Sequence, residues 1–201
     1  MKKLICIIAA LCVVLTLFGC SAAQISRPAD KYVRGGVEGD TWESQWLGLS
    51  YTLAEDFVFT TEQQLQDMME ITPDTIYEDE NGFHIVDYSL VDSVYEMMAY
   101  HEDGSNVVVI SEMNKAGLSE QEYMNYVRLE IVQMAMEYTF TELYDFQIGD
   151  VTLKRCDGST YAYGDFLCQT YLLIAKGDRI ISIQVTAPQK DTIDKIIASF
   201  R

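Results

Sequence analysis

The chain has 201 residues, 49% of them hydrophobic and 11% aromatic, which is enough for one ordinary core and excludes global disorder and collagen-like or low-complexity classes. Fourteen Lys and Arg stand against 31 Asp and Glu, a formal net charge of −17. Nucleic acid is therefore not an expected partner, because phosphate contacts need a basic face.

Lys2 and Lys3 precede an uncharged run from Leu4 to Phe18, the order of a secretory signal. The run is short for a membrane span, which takes about 20 apolar residues. Leu17-Phe18-Gly19-Cys20 resembles the lipobox of bacterial lipoproteins, with Phe18 where that pattern prefers a small or β-branched residue. The resemblance implies removal of residues 1–19 and acylation of Cys20, palmitate included. Two acyl chains hold a protein at a membrane where one binds only marginally, so the expected location is the extracytoplasmic face of the cell membrane. Ser21 to Asp40, with Pro28 and the Gly35-Gly36-x-x-Gly39 cluster, lacks apolar periodicity. Residues 20–40 read as a tether with a reach of roughly 25 Å.

Strand alternation appears within Trp42 to Phe59, where Leu49, Tyr51 and Leu53 alternate with Ser50 and Thr52. Thr61 and Gln64 form a capping box opening a short helix that stops before Pro73. Residues 74–91 hold the loop-like Glu78 to Gly82 and are otherwise open between helix and strand. Val94 to His101 and Asn106 to Met113 read as a hairpin turning at Asp103-Gly104, with Val107 to Ile110 buried on both sides. Ser119 and Glu122 cap the longest helix, along which Tyr123, Val127, Ile131, Met134 and Tyr138 recur at helical spacing. Val151 to Cys156 is a strand. Phe166 to Ala175 and Arg179 to Ala187 form the last hairpin, and Ile193, Ile196, Ile197 and Phe200 mark a closing amphipathic helix.

Hairpins grouped between helices predict an α+β domain, a mainly antiparallel sheet flanked by helices, over residues 41–201. Within it, Trp46-Leu47-Gly48-Leu49-Ser50-Tyr51-Thr52-Leu53-Ala54-Glu55-Asp56-Phe57 resembles the opening of PsbP-like domains of clostridial lipoproteins, and the later order of helices and turns agrees. Ala54 and Phe57 replace the usual Pro and Trp. The resemblance implies an α/β/α sandwich and an accessory binding role, since the family includes the photosystem II extrinsic protein P and a Ran-binding nuclear-import factor. Neither of those partners is expected for an exported lipoprotein.

No catalytic site is expected: Gly-x-Ser-x-Gly, Ser-x-x-Lys and His-Glu-x-x-His are missing from the sequence. A calcium-loop template laid on Glu78 to Gly82 puts Tyr77 and Tyr88 where its key acids belong, and His84 and His101 lack partners at ligand spacing, so neither metal nor cofactor is expected. Cys156 and Cys168 are separated by eleven residues, a spacing that leaves open both a disulfide and two small buried thiols. Tyr161, Tyr163, Phe166 and Tyr171 allow a recognition surface or, favoured by the burial tendency of aromatics, a sheet face under a helix. Recognition is expected to ride on Glu78, Asp79 and Glu80 and on Tyr161, Tyr163 and Phe166. The function that follows is a non-enzymatic, membrane-anchored module binding a protein or cell-envelope component; the alternative is an envelope enzyme or a small-solute-binding lipoprotein.

Cys20→Ala is expected to move the protein out of the membrane fraction and to remove the mass of the acyl groups. Retention of the variant at wild-type level, with equal masses, would exclude lipidation at this residue.

Overall fold

The computed structural model describes residues 31–133, 137–162 and 165–201. The leader, Cys20, Met134 and Tyr163 lie outside the described residues. In chain order the elements are β1 (Gly36–Glu38), β2 (Thr41–Ser44), β3 (Leu49–Thr52), β4 (Val58–Phe59), α1 (Glu62–Met68), β5 (Ile76–Glu78), β6 (His84–Val86), β7 (Ser93–Tyr100) and β8 (Asn106–Met113). They continue with α2 (Glu120–Gln133), β9 (Tyr138–Phe140), β10 (Tyr144–Ile148), β11 (Val151–Ala162), β12 (Asp165–Lys176), β13 (Arg179–Ala187) and α3 (Lys190–Ile197).

The expected α+β class is what forms. Eight antiparallel strands make the main sheet in the order β10-β11-β12-β13-β8-β7-β4, with β9 also on β11. Its centre is apolar on both faces because neighbours along a strand point opposite ways. Leu172 and Ile181 pack with Ile193, Ile196, Ile197 and Phe200, whereas Leu173 and Ile180 pack with Tyr123, Met124, Val127 and Ile131. Helices α2 and α3 therefore cover opposite faces. Both capping boxes form: Thr61 with Gln64, and Ser119 with Glu122, whose carboxylate accepts from the Ser119 N–H at 2.9 Å. Strands β12 and β13 join through Gly177-Asp178, where φ of 59° at Gly177 suits a residue without a side chain.

A small sheet, β1-β2-β3, packs Trp42, Leu49 and Tyr51 into the α3 side of the core. The C-terminus extends it: Ser50 and Arg201 exchange N–H···O bonds of 2.9 Å each, and the Thr52 N–H donates to the Ser199 carbonyl.

Two expectations need correction. Residues 31–40, assigned to the tether, belong to the domain: Tyr32 is buried, and Gly36–Glu38 pairs with β2. Gly35 makes this approach feasible, since a Cβ there would lie 2.6 Å from Trp42 Nε1 and 2.8 Å from the Glu43 carbonyl oxygen. Tyr138 does not continue the long helix but starts β9, a Tyr-Thr-Phe run whose strand propensity prevails over its helical spacing. The β7–β8 hairpin turns through Asp103-Gly104 as expected, within a loop from His101 to Ser105. Tyr100 pairs with Asn106, and between them the Asp103 carboxylate accepts from the Ser105 N–H at 2.7 Å, an Asx-type bond that holds the loop.

Ile197 is 4% exposed against the sheet. Ile197→Asp is expected to destabilise the domain by about 3–5 kcal/mol, combining lost apolar burial with an unpaired carboxylate. Urea denaturation measures it, and an unchanged midpoint would make α3 peripheral.

Candidate functional site

Strands β11 and β12 outrun their neighbours. The β12–β13 register ends at the Cys168 and Ala187 pair, and β9 reaches only to Thr160, so the Tyr161 and Phe166 pair stands beyond the flanking strands. Both aromatics project on one face and are 69% and 54% exposed. The favoured reading of a helix-covered face is thus wrong for these two residues. Tyr171 separates from them: five residues from Phe166, it points to the other face and is buried beneath α2. An exposed cross-strand aromatic pair offers rigid contact area with a polar tip at low entropic cost.

The acidic candidates fall elsewhere. Glu78 ends β5 opposite His84, and Asp79 and Glu80 lie in the turn. Asp79 is committed to that turn, accepting backbone N–H groups from Asn81 at 2.9 Å and Phe83 at 2.8 Å, and these bonds lower its pKa. Glu78 and Glu80 are solvated. The hairpin is rooted beside Arg179, which donates to the Tyr88, Ser89 and Val91 carbonyls, whereas Tyr161 and Phe166 lie past Ala187. Nine residues of β13 separate those ends by about 26 Å. The two proposed surfaces are therefore two separate places.

The thiols do not pair. Cys156 opposes Tyr171 on the α2 face and Cys168 opposes Ser159 on the other, so the sheet separates two free cysteines. His101 stacks on Phe57 with ring centroids 5.4 Å apart and sits 2.8 Å from an Asp103 carboxylate oxygen, whose hydrogen bond raises its pKa. Among the described residues no three His, Cys, Asp or Glu side chains gather as a metal site.

Two buried carboxylates escaped the sequence reading. Glu96 is 1% exposed, accepting from the Tyr32 hydroxyl at 2.5 Å and the Gly35 N–H at 2.6 Å. Burial raises its pKa against the opposing pull of those bonds and of Arg34 and Arg179. Glu112, under α2, accepts from the Tyr123 hydroxyl at 2.5 Å, and burial pushes its pKa up to about 7. The available signal was one acid inside each apolar strand, Val94-Tyr95-Glu96-Met97-Met98 and Val109-Ile110-Ser111-Glu112-Met113.

An open groove of about 600 Å³ runs between Phe146, Ile148, Ile197 and Phe200. Arg155 lines it, but Asp157 and Asp194 each hold its guanidinium at 2.9 Å, and Phe146 stacks with the same group. Its charge is already matched internally. No described helix is long and apolar enough to cross a membrane.

Compared with models of protein families, the chain matches none, and comparison with curated proteins also gives no match. Among solved structures it is similar to the solution structure of cyanobacterial PsbP from Synechocystis sp. PCC 6803, with a TM-score of 0.48, 8% identity, and coverage of 92% of this chain and 98% of that one.

The Glu112 pair sets a pH dependence. From the ordinary value of 4.5 up to about 7, the unfolded chain has lost a proton that the folded chain keeps, so this group lowers stability as pH rises and levels off above 7. The full loss is about 3 kcal/mol. Glu112→Gln should be more favourable relative to wild type at pH 7.5 than at pH 5 in urea titrations. An identical difference at both pH values would mean that Glu112 titrates normally.

Proposed function

We propose that the protein is a membrane-anchored extracytoplasmic lipoprotein of clostridial PsbP-like type, whose domain is a non-enzymatic binding module for a protein or another cell-envelope component. The Cys20 lipobox supports the anchor, and the Trp46 to Phe57 segment supports the kinship. One observation carries the binding role: the Tyr161 and Phe166 pair, exposed at the free end of the longest hairpin of an otherwise acidic protein. Large apolar side chains exposed together on one face mark recognition surfaces more often than solvent-facing packing. The titratable groups with internal partners point the same way. Glu96, Glu112 and Arg155 are spent on bonds inside the fold, so they brace it and do not converge on one cleft.

Capture of envelope components by the lipidated full-length protein tests this reading. The double substitution Tyr161→Ser and Phe166→Ser is expected to lower capture by about tenfold, as loss of aromatic anchors does, with the melting temperature unchanged. Binding through this pair should persist at high salt, because screening acts on exposed charges and not on aromatic contact. Equal capture by both proteins rules out the tip as the site. Turnover of a peptidoglycan, ester or peptide substrate that a single acid, Cys or His substitution abolishes would replace the binding module by an enzyme.

A further inference from the structure

Strands β5 and β6 form a two-stranded sheet of their own, hydrogen-bonded to neither of the other sheets. Tyr77 pairs with Ile85, and the Asp79 N–H donates to the Phe83 carbonyl at 2.9 Å, which puts Tyr77, Phe83 and Ile85 on one face. They are 51%, 67% and 38% exposed. Asp79 shares the face but turns its carboxylate onto its own turn, so the face stays apolar. A two-stranded hairpin is marginal until such a face is covered.

The chain's entry point indicates what covers it. The Asp87 N–H donates to the Thr75 carbonyl at 2.7 Å, closing the root of the hairpin, and Lys31 Nζ lies 3.7 Å from the Asp87 carboxylate at that root. Only residues 21–30 lie between Lys31 and Cys20. They span about 20 Å as a flexible coil and about 40 Å fully extended. A lipid on Cys20 thus brings the root of this hairpin closer to the bilayer than the Tyr161 end. Val33 and Leu90, on the segments meeting the root, are also exposed, at 62% and 54%.

We propose that the apolar face of the β5–β6 hairpin rests in the bilayer interface and orients the domain. This rests on the reading that Cys20 is acylated. Tyr77 and Phe83 suit the headgroup boundary, where amphipathic and aromatic rings concentrate. Glu78 and Glu80 keep the contact shallow and select a weakly charged surface over an anionic one. The Tyr161 and Phe166 tip then points away from the membrane toward its partner.

The test uses the lipidated full-length protein in phosphatidylcholine vesicles containing a photoactivatable phospholipid, with labelled peptides and Cys20 acylation read by mass spectrometry. Label is expected on residues 76–90. It should fall about fivefold in a Tyr77→Ser, Phe83→Ser variant that keeps its acyl chains and melting temperature, and should weaken when phosphatidylglycerol replaces phosphatidylcholine. An acylated Cys20 with an unlabelled hairpin overturns the proposal and leaves the anchor standing. An unacylated Cys20 overturns the anchor, and the proposal with it. Cross-linking of this face to a protein in native membranes, with vesicle lipid leaving it unlabelled, would assign it to a protein partner instead.

Discussion

A buried carboxylate and a buried guanidinium, bridged by one tyrosine, hold the pieces of this domain together. Glu96 sits at an irregularity in β7, between Tyr95 and Met97, that removes it from the strand's alternation. It takes its two short bonds from Tyr32 and Gly35, residues more than sixty positions upstream. Arg179 is fully buried, its guanidinium 4.2 Å from the centre of the Tyr32 ring, and it donates to carbonyls at Tyr88, Ser89, Val91 and Ser111. Leaving a buried polar group unmatched costs about 1–3 kcal/mol, and more when it is charged. The fold is therefore committed to keeping the N-terminal segment, β7, the 88–91 turn and β13 in register at once.

That constraint decides which parts are free. With the N-terminal segment pinned, β1 to β3 close over the α3 side of the sheet, and the C-terminus adds its bonds to Ser50 and Thr52. Arg34 extends the brace outward. It donates to the Tyr95 carbonyl and to Glu62 on α1, with Tyr88 beside its guanidinium at 4.7 Å. Among the described residues, the outer end of the β11–β12 hairpin and the small β5–β6 sheet stand at opposite ends of β13, beyond this brace. The sheet between them keeps the two exposed hairpin ends apart.

Much of this was legible in the sequence, and apart from Tyr138, where local strand propensity prevailed, the failures share a cause. Two-sided apolar strands, both capping boxes and the Ile193, Ile196 and Ile197 face of the closing helix are local patterns with one physical solution each, and all of them form, while Phe200 packs into the same core from beyond the helix end, bridged to Tyr51. The misread positions depended on partners distant in the chain. Tyr32 and Gly35 look like linker until Glu96 and Trp42 are placed beside them. Tyr161, Phe166 and Tyr171 look like one aromatic set, but the length of β13 leaves the first two uncovered and strand parity sends the third to the other face. Cys156 and Cys168 fail to pair by the same parity, which a spacing of eleven intervening residues does not reveal without the register. Glu96 and Glu112 were hidden because a lone acid in an apolar strand reads as solvent-facing until both faces are known to be covered.

The acidic composition gives the exposed aromatics their weight. A surface with this excess of Asp and Glu repels anionic lipid, nucleic acid and other copies of itself, so unselective adhesion is suppressed at long range. Apolar contact acts only at short range and is insensitive to salt. Where side chains such as Phe83 and Tyr161 stand out, contact depends on a partner that tolerates the surrounding negative field and offers an apolar surface of matching shape. Under the proposed binding role, the charge would filter the approach and the hairpin ends would select among what passes the filter. The spacing of these ends depends on the buried clasp, because without Glu96, Tyr32 and Arg179 the N-terminal segment would be released from the sheet and the ordered separation between the β5–β6 and β11–β12 hairpins would be lost.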